Sequence, residues 1–145
     1  CDIAEVEVDL DTFEVTVTNF WSATDVGKAI NPTMCKGQIE GGSLQAIGWA
    51  LWEEIVWDKG LIRNPRMTNY IIPTALDAPP FHTILVEAPF VMGPGGGAKG
   101  IGELPMDGGA PAVAAAVEHA IGLAMDALPL TPERLLSASA KGTRS

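Results

Sequence analysis

Residues 93–105 read GPGGGAKGIGELP, six glycines and two prolines in one short stretch. Each glycine costs a helix or strand about 0.5–1 kcal/mol relative to alanine, and proline removes a backbone donor. The stretch therefore runs as a loop. Its charged side chains are Lys99 and Glu103. Gly95-x-Gly97-x-x-Gly100 satisfies a dinucleotide-binding pattern literally, but that fingerprint needs a strand just before it and a helix just after. Pro89 and Pro94 separate the loop from any strand, and Pro105 with Gly108-Gly109 postpones the helix. A phosphate-binding loop of the Walker type fails as well, because Gly100 follows Lys99 where serine or threonine is required.

The loop divides a chain of mixed elements. In the first twenty residues Ala4, Val6, Val8 and Leu10 alternate with Glu5, Glu7 and Asp9, and Phe13, Val15 and Val17 repeat the pattern. Such alternation predicts a β-hairpin with one wet face. Asn31-Pro32 supplies a cap and a first-turn proline for a helix with Met34, Leu44, Ile47, Leu51 and Ile55 at helical spacings, ending near Asp58-Lys59-Gly60. Gly37, Gly41, Gly42 and Gly48 fall inside it. Either a backbone or ligand approaches the glycine side closely, or the helix breaks in two. An extended piece at 70–72, a strand at 83–87, a helix at 111–127 and a final helix from Thr131-Pro132 complete the reading. Residues 137–145 read as a flexible tail, leaving 1–136 as one structural unit.

Composition limits the function. With 145 residues and 47% hydrophobic side chains the chain can bury a core. Eighteen acidic against nine basic residues, a net charge of −9, argue against nucleic acid or an anionic membrane surface as partner. The apolar run 110–130 is interrupted by Glu118, His119 and Asp126, so it reads as a core helix and not a membrane span. Cys1 and Cys35 form no metal-ligand spacing, and Cys35 reads as a small core residue. The first residue is cysteine rather than methionine, so the chain reads as processed or truncated at that end.

Lys99-Gly100-Ile101-Gly102-Glu103-Leu104-Pro105 resembles the active-site loop of the molybdenum hydroxylases, the xanthine oxidase and aldehyde oxidoreductase family, in the C-terminal portion of their molybdopterin-binding large subunit. Asp25-Val26-Gly27-Lys28-Ala29-Ile30-Asn31-Pro32, Gly37-Gln38-Ile39-Glu40-Gly41-Gly42, Glu53-Glu54, Tyr70-x-Ile72-Pro73-Thr74 and Leu128-Pro129-Leu130-Thr131-Pro132-Glu133-Arg134 resemble further family segments, in family order. The family usually has glycine after the threonine of the hairpin turn, whereas this chain has Asp11-Thr12-Phe13.

The resemblance implies an α+β fold, a hairpin and short strands packed with two main helices, forming part of a larger molybdopterin-binding domain. It implies molybdenum held by molybdopterin or its cytosine dinucleotide form, with no protein metal ligand. By the same resemblance Glu103 is the catalytic base, Gln38 contacts the cofactor, and Lys99, Gly100, Ile101 and Gly102 run beside it. The expected reaction is oxidation of an aldehyde or N-heteroaromatic carbon with water as oxygen source, by a cytoplasmic complex. The implied partners are the remainder of the molybdopterin subunit, [2Fe-2S] and FAD on other chains or domains, and a small-molecule substrate. Glu40, Glu53, Glu54 and His119 read as helix-surface residues. From the residues alone, a nucleotide-binding module without chemistry and a purely structural subunit stay open as alternatives.

Overall fold

The computed structural model describes residues 1–93 and 95–142. Strand β1 (Asp2–Val8) turns into β2 (Val15–Asp25) as the alternation predicts, with Ala4, Val6 and Val8 facing inward. The turn is built around Asp9, whose Oδ1 accepts from the N–H groups of Asp11 at 2.8 Å and Thr12 at 3.0 Å. Phe13 then takes φ 59°, the left-handed conformation for which glycine is favoured. A register shift between Glu5 and Val6 leaves Thr18 as an extra residue, and beyond it Phe20, Ser22 and Thr24 take over the inner face.

Helix α1 (Pro32–Leu51) begins as predicted, with Asn31 accepting the Met34 N–H at 3.2 Å and proline in the first turn. It stops nine residues short of the expected Gly60. The Trp52 and Glu53 N–H groups both close onto the Gly48 carbonyl, at 2.9 and 2.8 Å. The chain then makes a small hairpin, β3 (Trp57–Asp58) with β4 (Leu61–Ile62), around Lys59 and Gly60 at φ 50° and 80°. Two positive φ values in a two-residue loop match the twist of paired strands, which is why Lys-Gly there makes a hairpin and not a helix end.

Strand β5 (Phe81–Val86) lies parallel to β2, giving a three-stranded sheet in the order β1-β2-β5. Residues 70–72, expected to be extended, form no strand. After the glycine loop come α2 (Leu104–Asp107), α3 (Gly109–Ile121) and α4 (Pro132–Gly142). The end of α3 corrects the expected 127: Gly122 at φ 69° caps it, its N–H bonded to Glu118 O at 2.8 Å. Residues expected to form the tail from 137 continue α4 as far as Gly142, and 143–145 lie outside the described residues.

The core forms where α1 and α3 meet the inner face of the sheet. Phe20, Ile47, Ala50, Val113, Val117 and Leu135 are fully buried there. Gly109 brings α3 against α1, because a Cβ on it would lie 2.5 Å from Ala46 Cβ. The fold is thus mixed α and β with two main helices, as expected. None of the described helices is long and apolar enough to cross a membrane.

Candidate functional site

The glycine loop is tied to the end of β2. Lys99 N–H donates to Val26 O at 3.0 Å and Lys28 N–H donates to Gly97 O at 3.1 Å, a short antiparallel crossing centred on Gly27. Gly27 has φ +64°, and a Cβ there would collide with the Gly97 carbonyl oxygen and come within 3.0 Å of Lys99 N. Only glycine allows the two backbones to cross so closely. Asp25, the last residue of β2, accepts from Gly27 N–H at 2.8 Å with one oxygen and from Lys99 Nζ at 2.6 Å with the other. The Lys99 ammonium, followed by the Gly27 N–H, holds the Asp25 carboxyl below the usual carboxylate range.

Further along, the loop meets α1. Gln38 Nε2 donates to Gly102 O at 2.7 Å, the carbonyl of the peptide that joins Gly102 to Glu103. Pro105 then packs on Gly42, where a Cβ would lie 2.9 Å from Pro105 Cβ. Glu103 is therefore flanked by two anchor points on the same helix. It caps α2 with its backbone only; its side chain is exposed and makes no capping hydrogen bond.

Next to these anchors several glycines leave the backbone bare. A Cβ added at Gly37, Gly41, Gly100 or Gly102 would meet nothing within 4 Å. Gly37 and Gly41 are one turn apart on α1, and the Gln38–Gly102 hydrogen bond sets that face beside the loop. The N–H groups of Gly100 and Ile101 find no acceptor among the described residues. Unpaired N–H groups beside glycines suit a bulky group rich in acceptor atoms. Among the described residues no three His, Cys, Asp or Glu side chains converge as metal ligands. The bare glycines and the unpaired N–H groups leave room and hydrogen-bond donors for a bulky group of that kind.

The profile of the molybdopterin cofactor-binding domain family matches residues 1–79. The chain belongs to this family. The molybdopterin cofactor-binding relatives extend beyond that segment. The xanthine dehydrogenase molybdenum-binding subunit of Escherichia coli O157:H7 is 37% identical over 139 residues, 93% of this chain and 18% of the relative. The nicotine 6-hydroxylase large subunit of Paenarthrobacter nicotinovorans is 38% identical over 138 residues, 92% of this chain and 17% of the relative. Among solved structures, quinoline 2-oxidoreductase from Pseudomonas putida 86 superposes with a TM-score of 0.87 at 38% identity, covering 94% of this chain and 18% of that one. Aldehyde oxidoreductase from Desulfovibrio gigas gives 0.83 at 34% identity, over 93% of this chain and 15% of that one. The chain thus spans less than a fifth of the length of these relatives.

For this molybdopterin cofactor-binding segment, the structure brings together Gln38, Lys99, Gly100, Ile101, Gly102 and Glu103. It also shows what sequence reasoning missed. Asp25 and Gly27 organise the crossing although they lie far from the loop in sequence. Glu53 and Glu54 are not helix-surface residues but lie past the end of α1. Glu53 accepts the Tyr70 hydroxyl at 2.7 Å, and Glu54 accepts Arg134 at 2.7 Å, fastening α4. Glu40 accepts the Thr83 hydroxyl at 3.4 Å. Cys35, expected in the core, is only half-buried in the first turns of α1.

Proposed function

We propose that this chain is part of the large subunit of a cytoplasmic molybdenum hydroxylase that oxidises an aldehyde or N-heteroaromatic carbon with water as the oxygen source. The observation that carries the proposal is Glu103, one exposed carboxylate on a loop pinned at both ends beside a bare glycine surface. Relatives named for xanthine, nicotine, quinoline and aldehyde oxidation support the substrate class.

The molybdenum–molybdopterin group, or its cytosine dinucleotide form, supplies a Lewis-acidic metal and an acceptor for two electrons when bound. Gly37, Gly41, Gly100 and Gly102 leave room for it along two backbones. Gly100 and Ile101 offer it their free N–H groups, and the Gln38 amide holds Gly102 while keeping its own oxygen available as an acceptor. Lys99 contributes its backbone, because its ammonium is engaged by Asp25. Glu103 acts as general base and accepts the proton of the attacking water-derived oxygen. The [2Fe-2S] and FAD groups of such an enzyme would lie on other chains or domains. The remainder of the subunit covers apolar side chains such as Leu76, Val91 and Met92, which are 97%, 88% and 88% exposed here.

Glu103→Gln in the full-length enzyme tests the assignment. Shape is kept and basicity lost, so molybdenum content should be unchanged while reduction by substrate in rapid mixing slows by at least about 100-fold. Wild-type reduction in a fully loaded Glu103→Gln enzyme would exclude Glu103 as the base. Absence of molybdenum from the purified full-length protein would return the loop to a nucleotide-binding or buttressing role.

A further inference from the structure

We infer that Asp25 is a positioning residue for Glu103, acting through Lys99 on the register of the glycine loop. The inference rests on the assignment of Glu103 as the base. Lys99 is the last loop residue whose N–H is bonded to the segment that follows β2, at Val26 O. Gly100 and Ile101 follow with no hydrogen bond among the described residues, and the next hold is Gln38 on Gly102 O. A displacement at Lys99 therefore passes through two residues without anchors to the Gln38–Gly102 hydrogen bond, the single polar hold between it and Glu103 among the described residues.

Asp25 is suited to stop that displacement because it is itself fixed. It ends β2, opposite Val86 of β5, and its two oxygens divide between Gly27 N–H and Lys99 Nζ. One carboxylate thereby holds both sides of the crossing, the positive-φ Gly27 on the segment after β2 and Lys99 on the loop. A neutral side chain of the same shape could keep the Gly27 contact but would lose the charge-assisted one. The Lys99 ammonium sits 2.6 Å from this carboxylate, so it serves as a strut between sheet and loop and not as an open cation for an anionic ligand. Both side chains are about two-fifths exposed, 41% and 39%, so the expected effects are modest in the ground state. Base catalysis reads them more sharply, since proton transfer depends on placement to a fraction of an ångström.

The test uses the full-length holoenzyme carrying Asp25→Asn, Lys99→Met, both together, and Asp25→Glu. Four quantities are read: molybdenum and pterin content, hydrogen exchange of the Lys28 and Lys99 amides, the limiting rate of reduction by substrate, and substrate affinity in that reaction. In Asp25→Asn the metal should stay in place and the two amides should exchange about two- to fivefold faster, the range of an exposed ion pair. Limiting reduction should slow about tenfold with affinity unchanged. The double variant should be no slower than Lys99→Met, and Asp25→Glu should recover part of the rate. The inference is overturned if Asp25→Asn exchanges and reduces like wild type, if it slows the Lys99→Met enzyme as much as the parent, or if its loss of rate follows loss of molybdenum. Wild-type reduction by Glu103→Gln would instead remove the base assignment, while the exchange data would still decide whether Asp25 and Lys99 hold the loop.

Discussion

Helix α1 carries two pairs of glycines for opposite reasons. At Gly42 and Gly48 the space where a side chain would stand is filled by this chain: Pro105 packs on the first, and Pro73 with the Glu53 carboxylate packs on the second. At Gly37 and Gly41 nothing stands within 4 Å. A glycine in a helix interior costs about 1 kcal/mol against alanine, so each needs an offset. For the filled pair the offset is internal close packing, visible in the fold. For the bare pair this chain supplies none, so the two pairs separate what this chain packs from what another group, ligand or protein, would have to cover.

The most severe break of a filled glycine is expected at Gly27, outside the helix. Gly27→Ala would force an L side chain into φ +64° and drive its Cβ into the Gly97 carbonyl. The left-handed conformation costs about 1–2 kcal/mol and the overpacking a similar amount, so about 3 kcal/mol of stability should be lost, read by denaturant unfolding of the full-length protein. A near-neutral Gly27→Ala would mean that the crossing of loop and strand is not as close as described.

Gly48→Ala should follow, with about 1–2 kcal/mol lost. Its Cβ would lie 2.8 Å from Pro73 Cδ and would displace Glu53, which Tyr70 holds by a 2.7 Å hydrogen bond. The proline ring cannot step aside as a free side chain would, and the gain in helix propensity of about 1 kcal/mol recovers only part of the strain. The Tyr70 hydroxyl reports this directly. Its hydrogen bond to the Glu53 carboxylate, and then its burial, raise its pKa above the ordinary tyrosine value. In Gly48→Ala an ultraviolet titration should find Tyr70 ionising at lower pH than in the parent. An unmoved titration with unchanged stability would place Gly48 with the bare glycines.

Local chemistry made one half of this architecture readable in the sequence. Alternation located the hairpin and Asn31-Pro32 located the start of α1, because both depend on neighbours in the chain. The helix ends were misjudged where the backbone turned inside a continuing apolar pattern, at Gly122 and at Trp52-Glu53, whose N–H groups close onto Gly48 O. The parallel pairing of β2 with β5 and the Asp25–Lys99 contact were not legible at all, since each joins residues more than fifty positions apart. At the site, the loop motif pointed to Glu103 and residues 99–102, and the segment Gly37-Gln38-Ile39-Glu40-Gly41-Gly42 pointed to Gln38. Neither gave a hint that Gln38 spends its amide nitrogen on Gly102 or that Lys99 spends its ammonium on Asp25. Phe13 is the mirror case. It stands where the resembled family has glycine, and the backbone still adopts the glycine conformation, at φ 59°.

The smallest effect on stability is expected at the bare pair, and there its sign should reverse. Alanine at Gly37 or Gly41 meets no atom of this chain and improves helix propensity, so each change should stabilise the full-length apoprotein by about 0.5–1 kcal/mol. If the bare face receives the molybdopterin group, the same methyl stands in the ligand's place. Gly41→Ala, one turn along from Gly37 and beside Gln38, should then lower molybdenum and pterin content while the melting temperature of the apoprotein rises. The two readouts move in opposite directions only if the glycine serves a ligand. A variant that is more stable and fully loaded would show that the open space over α1 is taken by neither cofactor nor protein, whereas a variant that loses stability would show that another part of the subunit already packs against this face.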